Sequence, residues 1–210
     1  MIRAVFFDIG GTLIRPWPSV GAVYARVGRE FGLPATAAGM EAAFRAAWKA
    51  GKTNGGLTTS DANWWRGLVA QALELQSLAN PPGYFDALYA AFVTAEAWQI
   101  FPGVIETLEL QRARGRHVGV ISNWDDRLRP LLKNLGLDRY FDSVTISCEV
   151  GAEKPDARVF QAALRVAGVT AAEALHVGDS EVDDVLGAQA VGMTARLVVG
   201  GDVRQATSCG

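Results

Sequence analysis

Four separated stretches carry the reactive side chains of this sequence. They are Asp8 in Val5-Phe6-Phe7-Asp8-Ile9-Gly10-Gly11-Thr12-Leu13, Ser122 in Ile121-Ser122-Asn123, Lys154 in Gly151-Ala152-Glu153-Lys154-Pro155-Asp156, and Asp179 in Val177-Gly178-Asp179-Ser180. Two carboxylates about 4 Å apart repel by roughly 4 kcal/mol at an effective dielectric of 20, so Asp8 and Asp179 both stay ionised only with positive charge between them. Oxygen-only ligands beside an anion site point to Mg²⁺. Lys154 adds a fixed cation and Ser122 a hydroxyl donor, which together are the equipment for holding a phosphoryl group during in-line attack. Gly10-Gly11 allows the chain to turn with its amides close to Asp8, because a residue without Cβ tolerates positive φ and close approach; those amides are a candidate anion cradle. Taken alone, Asp8 reads better as a turn cap than as a functional group. The combination is what carries the chemistry.

Such side chains converge only if strands deliver them to one edge of a sheet. Val5 to Phe7 is a β-branched and aromatic run of the kind buried on both faces, and it ends at Asp8. From Gly103 onward the pattern alternates. Helices are expected at Val104 to Arg114, Asp125 to Leu135, Pro155 to Ala167 and Asp184 to Val191, and strands at His117 to Ser122, Ser143 to Ser147, Ala174 to Val177 and Thr194 to Val199. Alternation of this kind predicts an α/β fold, a Rossmann-like parallel sheet core with helices on both faces. In such sheets ligands bind at the carboxyl ends of the strands. The tail after Gly200 is small and polar, and fraying is expected there.

Between the first and second strands lies a different pattern. Arg15-Pro16-Trp17-Pro18 is expected to break any regular ladder, and Ser19 to cap a helix through Val20, Val23, Tyr24, Val27 and Phe31. Further helices are expected at Ala35 to Ala50, from a Ser60 cap through Trp64 to Leu75, and from Tyr84 to Trp98, with a loop from Gly51 to Thr59. Four helices are too many for one crossover, so residues 15–99 are predicted to be an inserted all-helical domain, and 1–14 with 100–210 the α/β core. The aromatic stripes of the insert are expected to fill a bundle core, and Arg26, Arg29, Arg45, Lys49 and Lys52 to form a solvated face.

The 210 residues are half apolar and carry 20 basic against 22 acidic side chains. No field strong enough for nucleic acid or a polybasic membrane contact follows from that balance. No apolar run approaches the roughly 18 residues of a membrane span, and Arg3 and Asp8 interrupt any signal-peptide core, so a cytoplasmic location is the expectation. Cys148 and Cys209 form neither a disulfide framework nor a zinc motif.

With the motifs Phe7-Asp8-Ile9-Gly10-Gly11-Thr12-Leu13, Ile121-Ser122-Asn123, Lys154-Pro155-Asp156 and Val177-Gly178-Asp179-Ser180 followed by Asp183-Asp184, in this order, the chain resembles the haloacid dehalogenase-like hydrolase superfamily over essentially its whole length. The resemblance implies a phosphatase-type enzyme with a helical cap inserted after the first motif, acting on a small phosphorylated molecule; a monomer or homodimer is expected. It implies that Asp8 is the nucleophile forming an aspartyl-phosphate, and that Mg²⁺ is held by Asp8, the Gly10 carbonyl and Asp179. Asp184 would support the metal, with Asp183 as the alternative. Ser122, Asn123, Lys154 and Gly11 would bind phosphate, Lys154 would steady Asp8, and Thr12 would support the loop.

One departure is large. Phosphatases of this superfamily usually carry a second Asp two residues after the nucleophile as the general acid and base, and here that position is Gly10. Such a group contributes about 10²–10⁴-fold. His117 and His176 do not replace it, since the first opens a strand and the second lies three residues before Asp179 and so faces the other way; both are expected to be structural. Gly10 keeps two alternatives open, a metal-independent 2-haloacid dehalogenase and a hydrolase fold that binds without turning over. Asp8-Ile9-Gly10-Gly11-Thr12 also resembles a sugar-kinase phosphate loop, which Arg15-Pro16-Trp17-Pro18 and the chain length oppose.

Overall fold

The computed structural model describes residues 1–53 and 61–207. The chain divides into two compact units, Met1–Arg15 with Ile100–Gly210, and Pro16–Gln99.

The chain opens with β1 (Ala4–Phe7), every residue of which is buried. It turns at Gly10-Gly11 into β2 (Ile14–Pro16), which pairs in a two-stranded sheet with a later strand described below. Regular pairing here departs from the expectation set by the prolines. Pro16 is the last residue of its strand, where the missing N–H costs no interior ladder bond, and Trp17 N–H donates to the Ala97 carbonyl at 2.8 Å.

Among the described residues, the second unit holds four α-helices. In α1 (Val20–Glu30) the Ser19 side chain accepts from the Ala22 amide as N-cap. Next come α2 (Ala37–Thr53) and α3 (Ala62–Leu75), the latter capped by Asp61, whose side chain accepts from the Asn63 amide. The expected Ser60 cap and most of the Gly51 to Thr59 loop lie outside the described residues. After Gly83, α4 spans Tyr84–Ala91 and stops well short of the expected Trp98. Trp98 instead begins β3 (Trp98–Ile100), the partner of β2. Val23, Tyr24, Val27, Met40, Leu68, Leu73, Tyr84 and Leu88 form the core of this unit, with Trp48, Trp64 and Trp65 packed against it. The aromatic stripes therefore fill the bundle, while Arg26, Arg29, Arg45 and Lys49 are exposed.

The remaining elements complete the α/β unit. They are α5 (Val104–Ala113), β4 (His117–Ser122), α6 (Leu128–Asn134), β5 (Ser143–Ile146), α7 (Ser147–Val150), α8 (Ala157–Ala167), β6 (Ala174–Gly178), a π-helical segment Glu181–Leu186 running into α9 (Gly187–Ala190), β7 (Thr194–Leu197) and α10 (Val203–Ala206). The five strands form one parallel sheet in the order β5-β4-β1-β6-β7, with helices on both faces. Ala4 and Phe6 share one face with Val159, Phe160 and Ala163 of α8, and α5 packs against β4.

Two further departures from the sequence expectation have local causes. The α6 helix begins at Leu128 because the Asp125 carboxylate captures the Arg127 amide at 3.0 Å and its guanidinium at 2.6 Å, competing with the helix for that turn. The tail after Gly200 does not fray over its described part. Asp202 caps α10, and Val203 and Ala206 are buried.

Candidate active site

Sheet order places β1 in the centre, and parallel register does the rest. Phe7 is paired with Val120 of β4 and Val177 of β6, so Asp8, Ser122 and Asp179 leave neighbouring strands at the same edge. The Asp8 amide donates to the Val177 carbonyl at 2.9 Å, holding the strand straight to the point where its side chain is needed.

Asp8 Oδ1 accepts from Ser122 Oγ at 2.9 Å and from Lys154 Nζ at 2.7 Å. Thr12 Oγ1 bridges Asp8 Oδ2 at 3.5 Å and Asp179 Oδ1 at 3.4 Å. Lys154 Nζ also donates to Asp184 Oδ1 at 2.5 Å, and that same oxygen lies 2.9 Å from His176 Nε2. Asp184 Oδ2 accepts from the Ser180 amide at 3.0 Å. Of the adjacent acids it is Asp184 that joins the cluster, whereas the Asp183 amide serves the turn by donating to Ser180 Oγ.

Three local devices permit this packing. Gly11 adopts φ +83°, and a Cβ there would run into the Asp179 carboxylate. A Cβ on Gly178 would collide with Asp184, so the bare backbone lets the π-helical segment fold that carboxylate over β6. The third device is the Asn123 side chain, which accepts from the Lys154 amide at 2.7 Å and donates to the Lys154 carbonyl at 3.0 Å, fixing the loop that presents the ammonium.

Burial sets the electrostatics. Desolvation raises the Asp8 pKa above the ordinary carboxylate value despite the neighbouring Lys154 ammonium, with the Asp184 charge pushing the same way. Asp184 is desolvated too, but Lys154 and the His176 hydrogen bond outweigh this and hold its pKa low. Burial opposes the charge on Lys154, and Asp8 with Asp184 overcome it, so Lys154 is held above its ordinary value. The Asp179 carboxyl is pushed up by desolvation and by Asp184.

Oxygens of Asp8, Asp179 and Asp184 lie within 4.8 Å of one another. Three carboxylates around one ammonium leave negative charge uncompensated, and their hard oxygen donors suit Mg²⁺. Both oxygens of Asp184 are taken by protein donors, which fits orienting Lys154 better than direct ligation. The Gly10 carbonyl accepts no hydrogen bond among the described residues.

Three expectations change. The Gly11 N–H, expected as a phosphate donor, is engaged by the Ile14 carbonyl at 2.8 Å, because the Gly10-Gly11 turn closes on itself in a bridge to Ile14; within this turn the Ile9 and Gly10 amides make no hydrogen bond among the described residues. The Asn123 side chain is spent on Lys154 rather than directed at a ligand. His176 is fully buried and belongs to the charged cluster, whereas His117 lies 2.8 Å from Ser143 Oγ, away from it. Strand alternation does turn His176 away from Asp179; what the sequence did not show is that Asp184 folds back onto the His176 side.

A family model for haloacid dehalogenase-like hydrolases matches residues 2–192. The mouse haloacid dehalogenase-like hydrolase domain-containing protein 3 is 37% identical over 211 residues, covering 96% of this chain and 83% of the relative. Among solved structures, a haloacid dehalogenase-type phosphatase from Thermococcus onnurineus is 28% identical with a TM-score of 0.66, covering 94% of this chain and 86% of that one. A dehalogenase structure is 27% identical with a TM-score of 0.69, covering 92% and 83%. The chain belongs to the haloacid dehalogenase-like hydrolase family and is a hydrolase.

Proposed function

We propose that this hydrolase is a Mg²⁺-dependent phosphatase that cleaves a small phosphorylated metabolite through an aspartyl-phosphate at Asp8. The observation that carries the reading is the cross-bracing of Asp8: Oδ1 is held by Ser122 and Lys154, which leaves Oδ2, whose one hydrogen bond among the described residues is the long Thr12 contact, as the attacking oxygen. Attack forms the Oδ2–P bond as the bond from phosphorus to the leaving oxygen breaks, and water then hydrolyses the acyl phosphate to restore Asp8. Lys154 balances the charge that gathers on the phosphoryl oxygens, and the free Ile9 and Gly10 amides are suited to donate to them. Mg²⁺, held by Asp8, Asp179 and the Gly10 carbonyl, would neutralise phosphate charge and orient it for in-line attack. Asn123 and Asp184 act through Lys154. The helical unit is assigned the substrate-covering role that the family resemblance implies.

Gly10 offers no proton to the leaving oxygen, so esters whose leaving group is already a weak base are the favoured substrates. The test is a broad phosphate panel with wild type and Asp8→Asn, with and without Mg²⁺. Hydrolysis that requires both Asp8 and Mg²⁺ supports the reading. A second reading, the metal-independent 2-haloacid dehalogenase, draws on Gly10 and on the dehalogenase likeness, and halide release without Mg²⁺ would establish it instead. Tight binding of phosphate analogues with no turnover would mark a fold that has kept its site and lost catalysis.

A further inference from the structure

The position where other members project a general acid is not empty space in this protein. A Cβ built on Gly10 would lie 3.1 Å from Cζ3 and 3.7 Å from Cη2 of Trp124, so the six-membered ring of the indole stands where a residue-10 side chain would go. Trp124 follows Ser122 and Asn123 directly, and its main chain is clamped: its amide donates to Ser147 Oγ at 3.0 Å, the same hydroxyl donates back to its carbonyl at 3.0 Å, and the Cys148 amide reaches that carbonyl at 3.3 Å. Ser147 is fully buried, so the clamp is fixed from below, while Trp124 itself is only partly buried.

We propose that Trp124 is a specificity-determining residue whose ring forms an apolar wall for the leaving group, and that the site selects phosphate esters with an aromatic leaving group. The inference rests on the phosphatase reading above and extends it. The physical logic is paired: an aryl oxyanion departs without protonation, which Gly10 cannot supply, and an aryl ring gains from packing against an indole where an alkyl group gains little.

Two measurements test it on wild type, Trp124→Phe, Trp124→Leu and Trp124→Ala: calorimetric affinity for phenylphosphonate against ethylphosphonate with Mg²⁺ present, and kcat/KM for phenyl phosphate against ethyl phosphate. The expected phenyl preference in binding is roughly tenfold for wild type, largely kept in Trp124→Phe and lost in Trp124→Leu and Trp124→Ala. Leu retains bulk without a ring, so it separates ring packing from a collapsed fold. A preference that survives in both Leu and Ala variants, or is missing from the wild type, overturns the proposal. Phosphonate preference intact with neither ester hydrolysed sinks the phosphatase reading and leaves the wall standing; hydrolysis without preference sinks the wall alone; no binding of either phosphonate removes both.

Discussion

The two sides of Asp8 are built from opposite materials. On one side Lys154, Asp184 and His176 form a buried chain in which both oxygens of Asp184 and the ammonium are spoken for. On the other side stand Gly10, which has no side chain to titrate, and the ring of Trp124. A site of this kind is equipped to hold and balance charge and poorly equipped to move protons. Asp8 itself reflects that division: burial pushes its pKa up, and the Lys154 ammonium on the braced side pulls it back toward the carboxylate.

Replacing the group shared by both sides should have the largest effect. Asp8→Asn is expected to cut turnover by roughly 10⁴-fold or more, measured on the best ester of the panel, since the proposed mechanism transfers the phosphoryl group to Asp8. Because desolvation disfavours the ionised Asp8 in the folded state, the neutral amide should leave the unfolding midpoint equal or higher. A variant that loses activity by unfolding would contradict this.

Striking the braced side comes next. Lys154→Met leaves Asp8 and Asp184 facing each other with no ammonium, and breaking a buried pair of this kind costs about 3–5 kcal/mol. Urea unfolding at neutral pH should show that loss. Lys154 is held above its ordinary pKa, so its contribution is present throughout the range below that value and fades only as strongly alkaline solution deprotonates the folded protein. At the acid end the difference from wild type should shrink, as the carboxylates that need the ammonium become protonated.

The apolar side responds to addition rather than removal. Gly10→Asp puts an acid where the chemistry lacks one, but its Cβ arrives 3.1 Å from the Trp124 ring, so the new carboxyl is crowded. We expect little gain on alkyl phosphates from Gly10→Asp alone and roughly a tenfold gain from Gly10→Asp with Trp124→Ala, within the range a positioned acid supplies. Equal rates for the single and double variants would show that the ring does not control that volume.

The same contrast marks what could be read from sequence. Asp8, Ser122, Lys154 and Asp179 were legible because strand alternation and motif order fix which residues reach the sheet edge. The first strand, the helix-strand alternation after Gly103 and the helical insert follow from periodicity in the same way. Contacts made by doubling back were not legible. Gly11 spends its N–H on Ile14 through a tight bridge, and Trp124 meets Gly10 across 114 positions of sequence by the accident of which strands are neighbours. The short β2–β3 pair and α10 run against local propensity, which prolines and small residues set toward loop, while tertiary burial of Val203 and Ala206 decides the tail.

His176 gives the smallest and most discriminating effect. Its Nε2 hydrogen-bonds to Asp184, so His176→Asn removes that buried hydrogen bond and leaves the ammonium in place. The expected cost is about 1–2 kcal/mol of stability, with a severalfold fall in turnover as Lys154 loses a firmly held partner. The pH dependence follows from Asp184. Its folded pKa is depressed, so the stability it contributes is full above the ordinary carboxylate value of 3.8 and is lost as pH falls through the lower folded value. Removing His176 takes away one of the causes of that depression. The gap between wild type and variant should therefore be widest at neutral pH and narrow on acidification. A gap that stays constant with pH would assign His176 to packing against Phe160, whose ring lies 5.4 Å from its own, rather than to the charged chain.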